Sequence, residues 1–321
     1  MKPEIVCIGG GTGQAALLRG LKDHDCSLTA IVTVTDSGRS TGMLRKELRI
    51  PAPGDIRNCI ISLSGSGELM KDLFQYRFPS GELEGHSFGN LFLAAFTEVS
   101  GSFDRAIKEL SKILNIKGKV LPSTLKSTHL VAEFEDGTII EEEANIRSRK
   151  SPIKDIRLKD DAAAYDKAVE AITSADLIVI CPGSLYTSVI SNFLVKGIRN
   201  AVEDSKAKKV YVCNLVTQPG LTDNYTQKKH VEEILRYLGS KIDYCIINNS
   251  RPGPDLMIHY EKEGSFFLEP MPDEIEALGV EVIEDDLILK GRKKQEIWQK
   301  QDYLRHDPDK IAKMLMGVMK K

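Results

Sequence analysis

The chain predicts an α/β protein: a Rossmann-like, doubly wound and mainly parallel sheet with a small β-hairpin insertion. Three observations predict it. Short apolar runs recur along the 321 residues, each ends in small or polar residues, and helical periodicity fills the gaps. Unbroken apolar runs of strand length suit strands buried on both faces, and strands alternating with helices suit βαβ units. In that architecture ligands bind beyond the carboxyl ends of the strands.

The first strand covers 4–8 and runs into Gly9-Gly10-Gly11-Thr12-Gly13, with a helix over 14–22 behind it. The second covers 28–34 and runs into Thr35-Asp36-Ser37-Gly38, ahead of helical patterns over 55–64 and 87–99. Residues 119–149 break the alternation. Asp136-Gly137 stands there between two alternating runs, a strong hairpin signal, so 119–150 reads as a β insertion and 150–159 as the way back to the sheet. A helix over 161–173 precedes a strand over 176–180, which ends in Cys181-Pro182-Gly183-Ser184. Further helices are expected over 186–203 and 223–238, and further strands over 209–213 and 244–247. Residues 281–321 are charged and then amphipathic, through Ile311, Met314, Leu315 and Val318, as befits a closing helix. The length is compatible with about two domains at the usual ~150 residues each. One doubly wound unit with an insertion also fits, and 1–321 reads as a single domain.

Composition excludes several classes. With 44 Lys+Arg against 46 Asp+Glu the net charge is −2, so no polybasic nucleic-acid surface dominates the chain. Aromatic content of 6% is thin for a base-stacking sheet. No apolar run approaches 18 residues, and no membrane span is expected. The six cysteines form no C-x-x-C pair, which argues against a zinc knuckle or dithiol redox motif. Most sit in apolar runs as reduced, buried thiols, and the first strand begins almost at once with no room for a signal peptide. Both features predict a cytoplasmic protein.

Candidate chemistry gathers in the polar ends of the strands. Gly11-Thr12-Gly13-Gln14-Ala15-Ala16 is G-x-G-x-x-A between a strand and a helix, where glycines let the backbone approach a phosphate. No G-x-x-x-x-G-K-[ST] occurs, so this is not a P-loop. A turn without a ligand would use the same glycines. Asp36 follows the second strand, where dinucleotide folds place a ribose-binding acid; it would equally hold Mg²⁺ or cap a helix. Pro53-Gly54-Asp55-Ile56-Arg57-Asn58 and Gly85-His86-Ser87-Phe88-Gly89-Asn90 each open a helical pattern, with Asp55 a plausible cap. Cys181-Pro182-Gly183-Ser184-Leu185-Tyr186-Thr187-Ser188 is a second anion-friendly turn, and Asn214-Leu215-Val216-Thr217-Gln218-Pro219-Gly220 ends another strand in amide and hydroxyl groups. Two such turns on one sheet edge point to a nucleotide-type diphosphate. A dehydrogenase would rest on G-x-G-x-x-A alone, with no Tyr-x-x-x-Lys or His–Asp arrangement behind it.

Together with Ser40-Thr41-Gly42, these motifs resemble, in order and across nearly the whole chain, the CofD/YvcK superfamily. The resemblance implies one of two activities. One is a 2-phospho-L-lactate transferase, which moves a phospholactyl group from a nucleotide-activated donor to a deazaflavin with Mg²⁺. The other, to which the chain looks closer, is a gluconeogenesis factor. That is a non-catalytic regulator of cell shape and cell-wall precursor supply that binds UDP-sugars such as UDP-N-acetylglucosamine and requires no cofactor. The regulator branch implies ligand binding by Tyr260 and Arg305, a partner enzyme of amino-sugar synthesis, and a homodimer. The expected binding set is Gly9, Gly10, Gly11, Thr12, Gly13, Asp36, Ser37, Asn58, Asn90, Gly183, Ser184, Asn214, Tyr260 and Arg305, with Asp36 the metal ligand of a transferase. Two departures stand out. The family commonly reads Asp-Asp-Gly-Gly-Ser-Ser-Gly where this chain reads Asp36-Ser37-Gly38-Arg39-Ser40-Thr41-Gly42, so a second acid is lost and a positive charge gained. Some regulators carry a phosphorylatable Thr where this chain has Pro308.

Overall fold

A computed structural model describes residues 2–149, 151–290 and 304–321. Its ten strands are β1 (Glu4–Gly9), β2 (Ser27–Val32), β3 (Lys119–Pro122), β4 (Leu130–Phe134), β5 (Ile139–Glu141), β6 (Ile153–Leu158), β7 (Leu177–Ile180), β8 (Lys208–Val212), β9 (Tyr244–Asn248) and β10 (Glu281–Asp285). Helices in the first half are α1 (Gly11–Leu21), α2 (Arg39–Leu48), α3 (Gly54–Leu63), α4 (Glu68–Gln75), α5 (Phe88–Ser100), α6 (Phe103–Ile113) and α7 (Glu143–Ser148). In the second half they are α8 (Asp166–Thr173), α9 (Ser191–Phe193), α10 (Ile198–Asp204), α11 (Gln227–Leu238), α12 (Pro254–Lys262), α13 (Pro272–Glu276) and α14 (Pro308–Val318).

Seven strands form one parallel sheet in the order β10-β9-β8-β7-β1-β2-β3. The chain winds outward through β2 and β3 on one side of β1 and through β7 to β10 on the other, so the strand order reverses between β1 and β7. Alternate residues of β1 feed two cores. Ile5 and Cys7 join one with α1, α3, α6 and α14; Val6 and Ile8 join the other with α8, α10 and α11. Helices thus cover both faces, which is why the strands read as continuous apolar runs. Among the described residues no helix is long and apolar enough to cross a membrane.

The hairpin expected at Asp136-Gly137 joins β4 to β5, and Gly137 takes the positive φ of 79° that the turn needs. The insertion is drawn differently from the sequence reading in two respects. β3 lies inside 119–150 yet is the edge strand of the main sheet, and β6, beyond 150, is the third strand of the small antiparallel sheet β5-β4-β6. Exposed Lys154 and Arg157 made β6 look like a linker; its buried residues Ile153, Ile156 and Leu158 pack on the large core. The helix expected over 186–203 is broken. A π-helical turn (Leu185–Ile190) passes into α9, and Gly197, at φ 106°, separates it from α10. The hydroxyl-rich stretch from Arg39 forms the helix α2; the Arg39 side chain lies outside what is described. The closing segment contains an unforeseen strand, β10, and the expected helix, α14, with Asp307 capping the amides of Asp309 and Lys310. Residues 291–303 of that segment lie outside the described residues.

Candidate functional site

The crevice at the reversal of strand order is built from the loops that leave β1, β7 and β8. After β1 the chain turns at Gly10 and Gly11, the latter at φ 64°, a left-handed conformation that favours glycine. The side chain of Asn192 donates to the Gly9 carbonyl at 3.0 Å and holds the start of this turn. Gly13 lies so close to the β7 loop that a Cβ there would overlap the Pro182 carbonyl. On the other side Asn214, just past β8, grips Gly183 at both ends. Its Nδ2 donates to the Gly183 carbonyl at 2.8 Å and its Oδ1 accepts the Gly183 amide at 3.2 Å. Ser184 Oγ accepts from Thr187 at 2.8 Å.

Between these loops opens a cavity of about 360 Å³, lined by Thr12, Gly13, Gly183, Ser184 and Asn214 among others. Its outer wall comprises Thr217, Ser265 and the segment Leu304–His306. That segment is stitched down by its backbone. The Leu289 amide donates to the Arg305 carbonyl at 2.9 Å, and the Asp307 amide to the Leu287 carbonyl at 2.7 Å. Tyr260, only 7% exposed, is not part of the cavity wall; its hydroxyl accepts the Leu304 amide at 2.5 Å. Tyr260 is therefore placed to hold the Arg305 segment. His306 Nε2 donates to the Cys213 carbonyl at 3.0 Å, and burial pushes its pKa down to about 4. The ring is neutral near pH 7, and since a carbonyl only accepts, Nδ1 is left as an acceptor.

The remaining expected residues form a second group behind the glycine turn. Asp36 Oδ1 accepts the Gly38 amide at 2.8 Å, Ser37 Oγ accepts the Ala144 amide at 3.0 Å, and Asn58 Oδ1 accepts from Arg57 at 2.7 Å. Arg57 also donates to Ser87, and Asn90 Nδ2 donates to Thr41 at 3.3 Å. Asp55 is not the cap of its helix, whose Ncap is Pro53. It turns inward and accepts the Gly11 amide, and a Cβ on Gly10 would come within 2.7 Å of its Oδ2. Burial, and then the charge of Asp36, push the Asp55 carboxyl up to about 7. Glu143, on α7, lies within hydrogen-bond reach of Asp36 and is pushed up by burial and then by the Asp36 charge. These two acids and His306 were missed by the sequence reading. Asp55 sits in a motif that reading had singled out; nothing in the local sequence marks Glu143, which the insertion delivers from a hundred residues away.

Asp36, Asp55 and Glu143 stand close enough for the Asp36 charge to raise the other two, but among the described residues no three His, Cys, Asp or Glu side chains are arranged to hold a metal ion. No step through a metal is therefore derived.

Comparison with known proteins agrees with this architecture. A model of the family described as 2-phospho-L-lactate transferase CofD matches residues 5–288. The chain is 44% identical to the gluconeogenesis factor of Bacillus subtilis, over 99% of both chains. It is also 44% identical to that of Halalkalibacterium halodurans, over 98% of this chain and 96% of the relative. A crystal structure of a UPF0052 family member from Bacillus halodurans superposes with a TM-score of 0.92 at 43% identity, covering 98% of this chain and 99% of the other. The doubly wound fold is thus one shared with that structure, and the chain belongs to the CofD family.

Proposed function

We propose that the protein is a regulator that binds a nucleotide-sugar of the UDP-N-acetylglucosamine type and reports its level to a partner enzyme of amino-sugar synthesis. It would so link central carbon metabolism to cell-wall precursor supply and cell shape, acting as a cytoplasmic homodimer. One observation carries the reading: the cavity between the β1 and β7 loops, where glycine-lined main chain opens α1 and Arg305 stands in the facing wall. A helix N-terminus with close backbone amides suits a diphosphate, and a guanidinium fork suits it from the other side. Neutral His306 adds an acceptor for a base or sugar donor. Asp55 supports the glycine turn from behind, in the group that also holds Asp36, Ser37, Asn58 and Asn90, and Tyr260 holds the segment that carries Arg305. Relatives named gluconeogenesis factor favour a role in central metabolism.

Calorimetric titration tests this. UDP-N-acetylglucosamine is expected to bind without metal, and Arg305→Ala to weaken it at least tenfold, on the order of 1.4 kcal/mol, with an unchanged melting temperature. Equal affinity in that variant would remove Arg305 from the site. A second reading, a phospholactate-type transferase, is favoured by the family model and by Asp55, which stands beside Asp36 although the neighbouring second acid is replaced by Ser37. Guanine-nucleotide binding that needs Mg²⁺, together with turnover of a deazaflavin acceptor and no response to the UDP-sugar, would establish it instead.

A further inference from the structure

The opposite end of the sheet carries a larger cavity, about 790 Å³, lined where β1 begins at Glu4 and β3 begins at Lys119. α6 packs on one face of the sheet and α8 on the other, and both line the cavity together with the edge strand β3, which forms its floor. Apolar side chains form part of the wall, Ile107 from α6, Ile116, Val120 and Leu121 along the floor and Ala171 from α8, beside the polar Thr29, Ser111 and Asn115. One end is tied across by the Tyr165 hydroxyl, which donates to Asp104 at 3.1 Å.

Charge is unevenly satisfied around this cleft. Lys108, Lys112, Lys119 and Lys167 line it against Glu4, Asp104 and Glu170. Asp104 is engaged by Tyr165, Glu4 accepts from Ser174 at 3.0 Å, and Lys112 is paired with Glu109 at 2.6 Å. Lys108 and Lys119 make no ion pair among the described residues. A hollow of this size whose wall mixes apolar and charged side chains has the dimensions of a small-molecule site, and lysine stems extend its apolar surface while keeping the ammonium in water. An added peptide strand fits less well. β3 has four residues and ends in Pro122, which offers no amide, and both features blunt an edge.

We propose that this cleft is a second ligand site, separate from the nucleotide crevice, for a small organic anion: an aryl or acyl body between α6 and α8 with its carboxylate, sulfonate or phosphate at Lys108 and Lys119. The probe is 8-anilinonaphthalene-1-sulfonate, followed by fluorescence on the full chain, with uncharged N-phenyl-1-naphthylamine as the control body. One saturable site is expected, unchanged in Arg305→Ala. Ala171→Trp, which fills the cleft from its half-buried wall, should abolish it, with circular dichroism confirming the fold. The double variant Lys108→Glu/Lys119→Glu, at two exposed positions, should weaken the sulfonate about tenfold and the amine less than twofold, and this carries the test should the tryptophan variant misfold. Absence of a saturable site, sulfonate affinity retained by folded Ala171→Trp, loss in Arg305→Ala, or equal effects of the double variant on both probes would overturn the proposal.

Discussion

Gly13 bears on the crevice through its missing side chain. Alanine there would overlap the Pro182 carbonyl and force the β1 and β7 loops apart. Overpacking of this kind costs roughly 1–3 kcal/mol, and because the loops are themselves the cavity wall, Gly13→Ala should lose nucleotide-sugar affinity as well as stability, read by calorimetry and thermal melting. Asp55 makes a different prediction. Its carboxyl is pushed up to about 7 from 3.8, so the folded protein holds the proton more tightly than the unfolded chain. The ionisation of Asp55 therefore costs stability as pH rises from about 4 to 7, and that cost is complete above 7. Asp55→Asn should melt higher than wild type above pH 7, by an amount bounded at roughly 4 kcal/mol, and the advantage should vanish near pH 4. A constant difference across that range would mean Asp55 ionises freely. At this scale the glycines were legible because a turn that approaches a neighbouring backbone tolerates little else, whereas the inward turn of Asp55 depended on Gly11 and Asp36 arriving beside it.

Among the elements, α14 and α12 control Arg305 indirectly. α14 packs on α1, burying Ile311, Ala312, Leu315 and Val318, and the contact is close enough that a Cβ on Gly20 would overlap the Pro308 carbonyl. Gly20→Ala should push the start of α14 outward, lowering stability by about 1–3 kcal/mol and weakening ligand binding through Pro308, which lines the cavity. Tyr260→Phe should act from the other end. It removes the acceptor of the Leu304 amide, a loss of about 1 kcal/mol for one hydrogen bond. If Tyr260 works through Arg305, the double variant Tyr260→Phe/Arg305→Ala should bind no more weakly than Arg305→Ala alone. Additive losses would mean that Tyr260 touches the ligand. The amphipathic pattern of α14 was readable from its sequence; its partner α1, nearly three hundred residues earlier, was not.

Across the whole molecule two titrations oppose each other. Burial lowers His230 and His306 to about 4, so protonation of the unfolded chain draws stability away as pH falls from 6.5 toward 4. Asp55 acts in nearly the same window with the opposite sign. Two histidines outweigh one carboxyl between pH 6.5 and 5, so wild-type stability should fall gently on acidification, while Asp55→Asn, with the compensating group removed, should fall about twice as steeply, measured by urea denaturation at each pH. The arrangement follows from packing on both faces of one sheet: His230 lies on α11 over one face, while His306 bonds to Cys213 at the end of β8.

What the sequence determined by itself is local and periodic. Apolar runs with small-residue ends specify buried parallel strands and their loops, Asp136-Gly137 specifies a hairpin, and the order of motifs specifies the family. These follow from side-chain burial and backbone sterics, which act over a few residues. Only the tertiary structure decided which motifs share a wall. Winding outward from β1 in both directions brings Gly13 to Pro182 and carries Arg305 to the crevice, while Asp36, Asn58 and Asn90 gather behind the turn with Asp55 and Glu143. It also placed β3, read from the sequence as part of the β insertion, at the edge of the main sheet, where nothing local gave a hint of a cleft. Such neighbours are set by strand order and long-range packing, and no local propensity records them.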